Sequence, residues 1–297
     1  MTPEEILACP ARVLNQQQRE FYFDKGYLMV EKLINDHWID KLNDKTAKLI
    51  ESSKSITESD GFYDLAPNHC AEQPRVRRFT APDMLDIYWE FANDVIADVA
   101  ADLLGPNVTY HHSKLNFKWP TTADNNAVGW HQDIPFYPHT NYNVLAIGTY
   151  LTDTSEDDGP LMVIPESHND KLYEQYDDHG QWTGELKPGD KALLDESSAI
   201  SMPGPKGSIT VHHSRAVHAS LPSRGNNARP LLINSYASAD AFPYTDGAGV
   251  ADHYREIVRG VPAKWAHHDP RPCPIPPNWG TNYTSIYEQQ AAAQKTN

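Results

Sequence analysis

The 297-residue chain has little cysteine and no long hydrophobic run. Its three cysteines, Cys9, Cys70 and Cys273, are widely spaced and odd in number, which argues against a disulfide framework. The absence of a CxxC pair likewise argues against a zinc site. No apolar stretch approaches the roughly 20 residues that span a bilayer, and no basic region followed by an apolar run resembles a secretory signal. We therefore expect a reduced, soluble, cytoplasmic protein.

Positive charge is also scarce. The chain has 25 lysines and arginines against 40 acidic residues, a formal net charge of −15. This balance disfavours general binding to nucleic acid or to an anionic membrane surface, and it favours a small-molecule partner. One local basic cluster, Arg75, Arg77 and Arg78, departs from it. These arginines are interpreted either as solvated surface residues or as groups that steer an anionic substrate or cosubstrate. The sequence does not predict the oligomeric state.

Helical patterns dominate the first hundred residues. Asn15 can cap a helix that Gly26 ends, and Asp36 can cap a second helix. Residues 53–80 are polar and irregular, which predicts a long loop. A further helical region ends at Gly105-Pro106.

Strand patterns follow from residue 107. Apolar and polar residues alternate through 114–119, a loop is predicted at 121–127, and residues 168–206 are interpreted as an insertion. Helices followed by many short strands predict a mainly β fold with flanking helices, an antiparallel double sheet. We expect one domain over residues 1–297, with a helical part at about 1–106, a β core at about 107–240 and an irregular C-terminal tail.

The most informative stretch is Gly129-Trp130-His131-Gln132-Asp133. On a β-strand, His131 and Asp133 would leave the same face, because one residue separates them. Imidazole and carboxylate suit iron(II), and a third ligand from a distant strand, His218, would complete a two-histidine, one-carboxylate triad with three open positions. Trp130 is expected to pack in the core.

The third ligand has alternatives near His218. His212 and His213 are also close to the expected place, but strand alternation would point them in opposite directions. Of these two, His213 is interpreted as the better alternative. The pairs His111-His112 and His267-His268 lack partners at sensible spacing, and we expect surface or structural roles for them.

Other polar residues could bind a carboxylate near the metal. Arg229 follows His218 by eleven residues, far enough for a hairpin to return alongside, and its forked guanidinium could clamp a carboxylate at two points. Ser220 lies two residues beyond His218 and could add a hydroxyl donor. One strand face carries a set of polar residues that either faces solvent or reaches the cosubstrate or substrate: Lys114, Asn116 and Lys118.

Together these motifs resemble the phytanoyl-CoA dioxygenase family of iron(II)/2-oxoglutarate oxygenases. The resemblance extends from about residue 14 to about residue 239. Where this family often has Pro-Gly-Ser-His, the chain has Pro165-Glu166-Ser167-His168, which changes a turn residue. The matching segments are Phe23–Leu28, Trp130–Asp133, Asp157–Leu161, Pro165–His168, His218–Ser220 and Arg229-Pro230.

The resemblance implies a double-stranded β-helix, the cupin-like jelly roll. It favours His218 as the third ligand, because Ser220 and Arg229 follow at the family's offsets. It implies that Fe(2+) is held by His131, Asp133 and His218, and that 2-oxoglutarate is anchored by Arg229, with O2 at the remaining position. Ser220, Asn116 and Lys118 are further candidate contacts of the cosubstrate. The implied reaction hydroxylates an aliphatic C–H bond and releases succinate and CO2. The resemblance does not identify the substrate, but an acidic chain with polar loops favours a small, polar metabolite over a long acyl-CoA.

Other functions are disfavoured by single residues. Halogenation needs an open coordination position where Asp133 supplies a carboxylate. A non-catalytic cupin-like metal-binding protein, or a redox-neutral isomerase or hydrolase on a similar barrel, would have no use for a 2-oxoglutarate clamp at Arg229.

Overall fold

The structure is a computed structural model that describes residues 1–120, 126–245, 252–278 and 285–296. Residues 121–125, most of the loop predicted at 121–127, lie outside this part of the chain. Among the described residues, no helix combines the length and the apolar character needed to cross a membrane.

Helices precede most of the strands and return at the C-terminus. The helices are α1 (Pro3–Leu7), α2 (Gln16–Lys25), α3 (Asp36–Ser52), α4 (Asp86–Ala92), α5 (Val95–Leu104), α6 (Pro188–Lys191) and α7 (Ile286–Thr296). The strands are β1 (Tyr27–Val30), β2 (Tyr63–Leu65), β3 (Val76–Thr80), β4 (Val108–Lys118), β5 (Val128–His131), β6 (Val144–Tyr150), β7 (Leu161–Val163), β8 (Ile200–Ser201), β9 (Ile209–His213), β10 (His218–Ser220), β11 (Arg229–Ser238) and β12 (Ile257–Arg259).

The strands form two open antiparallel sheets. The eight-stranded sheet has the order β1-β9-β6-β11-β4-β3-β2, with β12 also paired to β4. The four-stranded sheet has the order β5-β10-β7-β8. The prediction of a mainly β fold with flanking helices is therefore confirmed.

The helices cover one face of the large sheet, and its other face lines a cavity. Leu42 of α3 and Ile96 of α5 belong to the same buried apolar cluster as Leu115 of β4. The alternate β4 residues Lys114 and Asn116 line the cavity instead. The alternation predicted for this strand is thus confirmed, and its polar face is turned inward, away from bulk solvent.

Helix boundaries near the N-terminus follow the sequence closely. Asn15 caps α2, and Gly26 ends it in the left-handed conformation with φ 78°, as predicted. The cap of α3 is Asn35, whose side chain accepts a hydrogen bond from the Trp38 amide, so the assignment of the cap to Asp36 was wrong by one residue.

Two regions predicted to be irregular contribute strands or a helix. The segment 53–80, predicted as a loop, contains β2 and β3, and β3 pairs with β4 from Arg78 to Thr80. The tail contains β12, which pairs with β4, and α7, which covers the cavity. Short strands of three to five residues carry too few alternating positions to be recognised locally.

Candidate metal centre and cosubstrate pocket

A cavity of about 530 Å³ opens between the two sheets. The large sheet contributes polar residues such as Lys114, Asn116 and Arg229 to its wall, and the small sheet contributes His131 and His218. Apolar side chains complete the lining: Val128, Phe136, Leu161, Leu231, Ile233 and Ile286. The cavity is therefore lined by many polar side chains together with a smaller number of apolar ones, and the polar groups converge on a space that can hold a small molecule.

His131, Asp133 and His218 meet at this cavity. One possible ligand atom from each lies within 4.8 Å of the other two. The Nε2 atoms of both histidines are 3.8 Å from Asp133 Oδ1, and all three residues are buried. These are the three residues that the sequence predicts as metal ligands.

The local backbone places the three side chains by different means. His131 ends β5 and lies directly opposite His218 on the neighbouring strand β10. Asp133 has helical backbone angles, φ −74° and ψ −39°, just before a short 3-10 turn. The prediction that Asp133 shares a strand face with His131 was wrong, because the strand ends before it and a turn brings the carboxylate back.

Hydrogen bonds fix the orientation of both imidazoles. His131 Nδ1 lies 2.8 Å from the Gly129 carbonyl oxygen, and His218 Nδ1 lies 2.9 Å from that of Ala216. Each Nδ1 therefore donates to a carbonyl, which leaves Nε2 as the acceptor that faces the cavity. Such contacts commonly orient metal-binding histidines.

The charges of the three side chains suit a divalent metal. Burial lowers the pKa of His131 to about 4 and that of His218 well below its usual range, so both imidazoles are neutral at pH 7. Burial alone would raise the pKa of Asp133, but the nearby His218 and a hydrogen bond from His212 hold it well below its ordinary value. Two neutral nitrogens and one carboxylate are a donor set that fits iron(II).

The two other candidate histidines lie on opposite faces of their strand, as the alternation of side chains along a strand requires. His212 Nε2 lies 3.1 Å from Asp133 Oδ2 and lines the cavity. His213 points away, and its ring centroid is 5.4 Å from that of His168 and 6.4 Å from that of Tyr22. The preference for His213 over His212 was therefore wrong. His212 is placed to orient the carboxylate of Asp133.

Arg229 lies in the same cavity, and no ion pair joins it to another residue that the structure describes. It begins β11 opposite Lys118 on β4 and is 3% exposed. Its Nε and Nη1 atoms are buried and have no hydrogen-bond partner among the described residues. The predicted hairpin between His218 and Arg229 is wrong, since β10 and β11 belong to different sheets. A buried guanidinium with unsatisfied donors is strongly suited to bind a carboxylate.

The three further candidate contacts occupy different positions. Ser220 and Asn116 line the cavity, and the buried Oδ1 atom of Asn116 has no hydrogen-bond partner among the described residues. Lys118 is fully buried, and its Nζ donates to the backbone carbonyl of Leu221. Lys118 therefore lies beside Arg229 and supports the Leu221 backbone, while Ser220 and Asn116 face the cavity directly.

Several cavity residues were assigned elsewhere from the sequence. His111 and His112 line the cavity, so the surface role expected for them was wrong, and the structural role stays a prediction. Arg78 is a buried cavity residue, not a solvated one. His112 is two residues from Lys114 on β4 and therefore lies on the same strand face. Strand alternation could have predicted its position from that of Lys114. His267, by contrast, is 71% exposed, in keeping with a surface role.

Helix α7 closes one side of the cavity. Tyr287 is buried, lines the cavity and lies near Arg229, whose charge opposes the burial that raises the pKa of the phenol. Gln290 fastens the helix to the small sheet, since its Oε1 accepts from the Gly129 amide at 3.0 Å. The C-terminal segment is therefore part of the pocket that holds Arg229.

We expect Tyr287→Ala to raise the apparent KM for 2-oxoglutarate roughly tenfold, about 1.4 kcal/mol of lost binding. The reason is that removal of the phenol admits water beside Arg229 and weakens its hold on a carboxylate. The measurement is succinate release at varied 2-oxoglutarate. Trp265→Ala, which removes an aromatic residue that is 86% exposed, is the control. An unchanged KM in Tyr287→Ala would show that α7 only covers the site.

Comparison with known proteins yields a consistent picture. The family model described as phytanoyl-CoA dioxygenase (PhyH) matches residues 22–231. The chain is 30% identical over 286 residues to a probable alpha-ketoglutarate-dependent hypophosphite dioxygenase of Stutzerimonas stutzeri, covering 93% of this chain and 97% of that protein. It is 26% identical over 227 residues to the ectoine dioxygenase of Bordetella bronchiseptica, covering 71% of each.

Solved structures show the same fold. EctD from S. alaskensis with 2-oxoglutarate and 5-hydroxyectoine matches with a TM-score of 0.64 at 19% identity, covering 87% of this chain and 89% of that one. The same protein with bound Fe matches with a TM-score of 0.65 at 18% identity, covering 88% and 89%.

Proposed function

The chain belongs to the phytanoyl-CoA dioxygenase family and is an iron(II)- and 2-oxoglutarate-dependent dioxygenase, and we propose that it hydroxylates an aliphatic C–H bond of a small polar metabolite. Succinate and carbon dioxide are the products formed from the cosubstrate. The cavity supports a small substrate, because its volume of about 530 Å³ must hold 2-oxoglutarate as well. A long acyl-CoA would exceed that space.

In this proposal His131, Asp133 and His218 hold the iron. Bound iron(II) supplies the centre at which dioxygen is reduced at the expense of 2-oxoglutarate and the substrate. The protein orients the donor atoms that would hold the metal, because Gly129 and Ala216 hold both imidazole rings and His212 holds the carboxylate. A rigid donor set of this kind leaves no need for reorganisation when the cosubstrate binds.

The observation that carries the proposal is the buried guanidinium of Arg229, whose Nε and Nη1 atoms have no hydrogen-bond partner in the described part of the chain. Burying a permanent charge without a partner is costly, so the site is built for an anionic ligand. Arg229 shares one cavity with the triad, and the 2-oxoglutarate carboxylate farther from its keto group is the anion that would lie between them. We propose that Ser220 and Asn116 add hydrogen bonds to it and that Lys118 supports the same end of the pocket.

The apolar lining has its own part in the proposed reaction. Leu161, Leu231 and Ile233 line the cavity, and we propose that they limit the entry of bulk water between the triad and Arg229. A drier site strengthens the charge-assisted contacts of Arg229 and limits side reactions of a reactive centre.

We further propose that the two sheets form a double-stranded β-helix within a single domain over residues 1–297. Two facing antiparallel sheets with the triad between their inner surfaces support this assignment. A cytoplasmic location, predicted from the sequence, remains a prediction.

Succinate release with iron(II), 2-oxoglutarate and a substrate panel tests the proposed function. The panel should contain small polar metabolites together with hypophosphite, ectoine and, as a bulky comparison, phytanoyl-CoA. We expect stimulation above the substrate-free rate by a small polar compound, with one oxygen atom added to it. Stimulation by phytanoyl-CoA alone would contradict the proposed substrate size.

A further inference from the structure

Two adjacent histidines, His111 and His112, line the cavity and have no part in the proposed function. Neighbouring residues of a regular strand point to opposite faces, so only one of the two should reach the cavity. The pairing of β4 with β11 explains the exception. Ser235 of β11 lies opposite His112. The next residue, Tyr236, lies opposite Tyr110, so His111 is an extra residue that pairs with no residue of β11. Such β-bulges often re-aim side chains beside active sites.

The burial of the other β4 side chains changes phase at this bulge. Before it, Val108 and Tyr110 belong to the apolar core under the helices. After it, Leu115 and Phe117 belong to the same core. The even-numbered residues therefore face the core before the bulge, and the odd-numbered residues face it afterwards. As a result, both imidazoles are turned toward the cavity.

A hydrogen bond of 2.6 Å joins the Nδ1 atoms of His111 and His112. Burial lowers the pKa of His112 to about 3 and that of His111 well below its usual range, so both rings are neutral at pH 7. Only one Nδ1 atom can donate, and the two rings therefore have opposite tautomers. The ring that donates from Nδ1 has an acceptor at Nε2, and the other ring has a donor there.

The second nitrogen of His112 is the one that a ligand can reach. The Nε2 atom of His111 is buried without a hydrogen-bond partner in the described part of the chain. His112 is only half-buried, and no hydrogen bond from a described residue reaches its Nε2 atom. The rings of Tyr137 and Tyr254 pack against His111, with centroids 4.7 Å and 5.2 Å away. His111 is thus held in place behind His112.

The charges around His112 are of both signs. Besides burial, the charge of Lys114 lowers its pKa, that of Asp133 raises it and that of Arg78 lowers it. With iron(II) and 2-oxoglutarate bound, the metal centre would keep a net negative charge, because the cosubstrate dianion and the Asp133 carboxylate outweigh the charge of the metal. An ion beside His112 would therefore meet both attraction and repulsion. An uncharged group with a hydrogen-bonding dipole suits these surroundings better.

We propose that His112 hydrogen-bonds an uncharged polar group of the substrate, a carboxamide or a hydroxyl, and that His111 is a positioning residue that sets the tautomer of His112. Either group can donate or accept, and the paired rings can exchange tautomers to match it. The inference rests on the proposed function, because it takes the cavity as the place where substrate and 2-oxoglutarate meet. A hydrogen bond at the β4 wall then limits how the substrate can turn and so helps to select the C–H bond that faces the triad.

Calorimetric titration of the anaerobic enzyme, saturated with iron(II) and 2-oxoglutarate, tests this contact with four probes of similar size. Propionamide and 2-butanol are uncharged, propionate is an anion and propylammonium is a cation. We expect one of the uncharged probes to bind at least roughly fivefold more tightly than either ion. The tighter of the two uncharged probes distinguishes a carboxamide from a hydroxyl.

His112→Leu should weaken binding of the preferred probe roughly 5- to 10-fold, because it removes the hydrogen bond. His112→Gln can still donate and accept, so it should restore most of that affinity. His111→Phe keeps a ring but loses Nδ1, and it should weaken binding of the same probe. Combined with His112→Leu it should add little, because the two histidines act as one unit. His37→Leu, which removes an exposed histidine of α3, is the control.

Preferential binding of an ion, no detectable binding of either uncharged probe, or unchanged binding of both in His112→Leu would overturn the proposal. So would an equal loss of affinity for 2-oxoglutarate in His112→Leu, because the histidine would then serve the cosubstrate. Fully additive effects of the two substitutions would overturn the role of His111. A failure of the wild type to bind 2-oxoglutarate, seen in its own titration, would instead contradict the proposed function.

Discussion

Replacing any one of His131, Asp133 and His218 with alanine should cut iron binding and abolish 2-oxoglutarate turnover. Each substitution removes one donor from a buried site in which the ligand atoms lie within 4.8 Å of one another. Changes outside the ligand set typically cost 10–100-fold in metal affinity, so loss of a ligand should cost at least roughly 100-fold. Metal content after dialysis against iron(II), measured together with succinate release, gives both quantities.

His213→Ala is the matched control for His218→Ala. His213 is a neighbouring histidine whose side chain packs against His168 and Tyr22, outside the triad. The His213→Ala variant should bind iron and turn over 2-oxoglutarate normally. If His218→Ala kept full activity while His213→Ala lost it, the assignment of the third ligand would be wrong.

Arg229→Ala should raise the apparent KM for 2-oxoglutarate strongly while iron stays bound. Loss of a buried, charge-assisted two-point contact costs about 2–5 kcal/mol, or roughly 30- to 4,000-fold in affinity. Lysine at this position keeps the charge but loses the fork, so Arg229→Lys should fall between wild type and alanine. Succinate release at varied 2-oxoglutarate provides the KM, and metal analysis provides the iron content.

Arg224→Ala tests whether the effect belongs to Arg229. Arg224 is an exposed arginine in the segment between β10 and β11, so its removal changes the net charge equally without touching the cavity. Its KM should match that of the wild type. Loss of iron from Arg229→Ala with unchanged affinity for 2-oxoglutarate would assign Arg229 a structural role instead.

The residues proposed to bind metal and cosubstrate were recognisable because they lie in short local motifs. His131 and Asp133 are one residue apart, and Ser220 and Arg229 follow His218 at the offsets of the family that the chain resembles. The path by which they meet was not predictable. A turn after β5 places Asp133, and a crossover between sheets brings Arg229 back, whereas a strand face and a hairpin were expected.

The cavity wall formed by β3 and β4 was harder to predict, because strand alternation separates two faces without saying which is buried. Lys114 and Asn116 were placed on one face of β4, but a face of lysine and asparagine is more often solvated. Only the position of the second sheet over that face makes it a cavity wall. Arg78 was left with two interpretations for another reason, since its strand is five residues long within a segment whose sequence is polar and irregular.

The position of helix α7 could not be predicted from the sequence, because the helix is far along the chain from the residues it lies near. Tyr287 reaches the neighbourhood of Arg229 from 58 positions downstream, beyond the segment that the resemblance covers. Its sequence, Ile286–Thr296, has no strong apolar stripe that would identify a packing partner. The position of α7 is determined by its tertiary packing on the open side of the cavity.

The most direct test of the central claim is the visible spectrum of the anaerobic enzyme with iron(II) and 2-oxoglutarate. A weak charge-transfer band is expected, because a keto acid that occupies two open positions requires an incomplete ligand shell of the kind that His131, Asp133 and His218 provide. The band should disappear in Asp133→Ala and should need much more 2-oxoglutarate in Arg229→Ala. A wild-type protein that shows no band, and that binds zinc in a closed four-ligand site, would contradict the assignment as a 2-oxoglutarate-dependent dioxygenase.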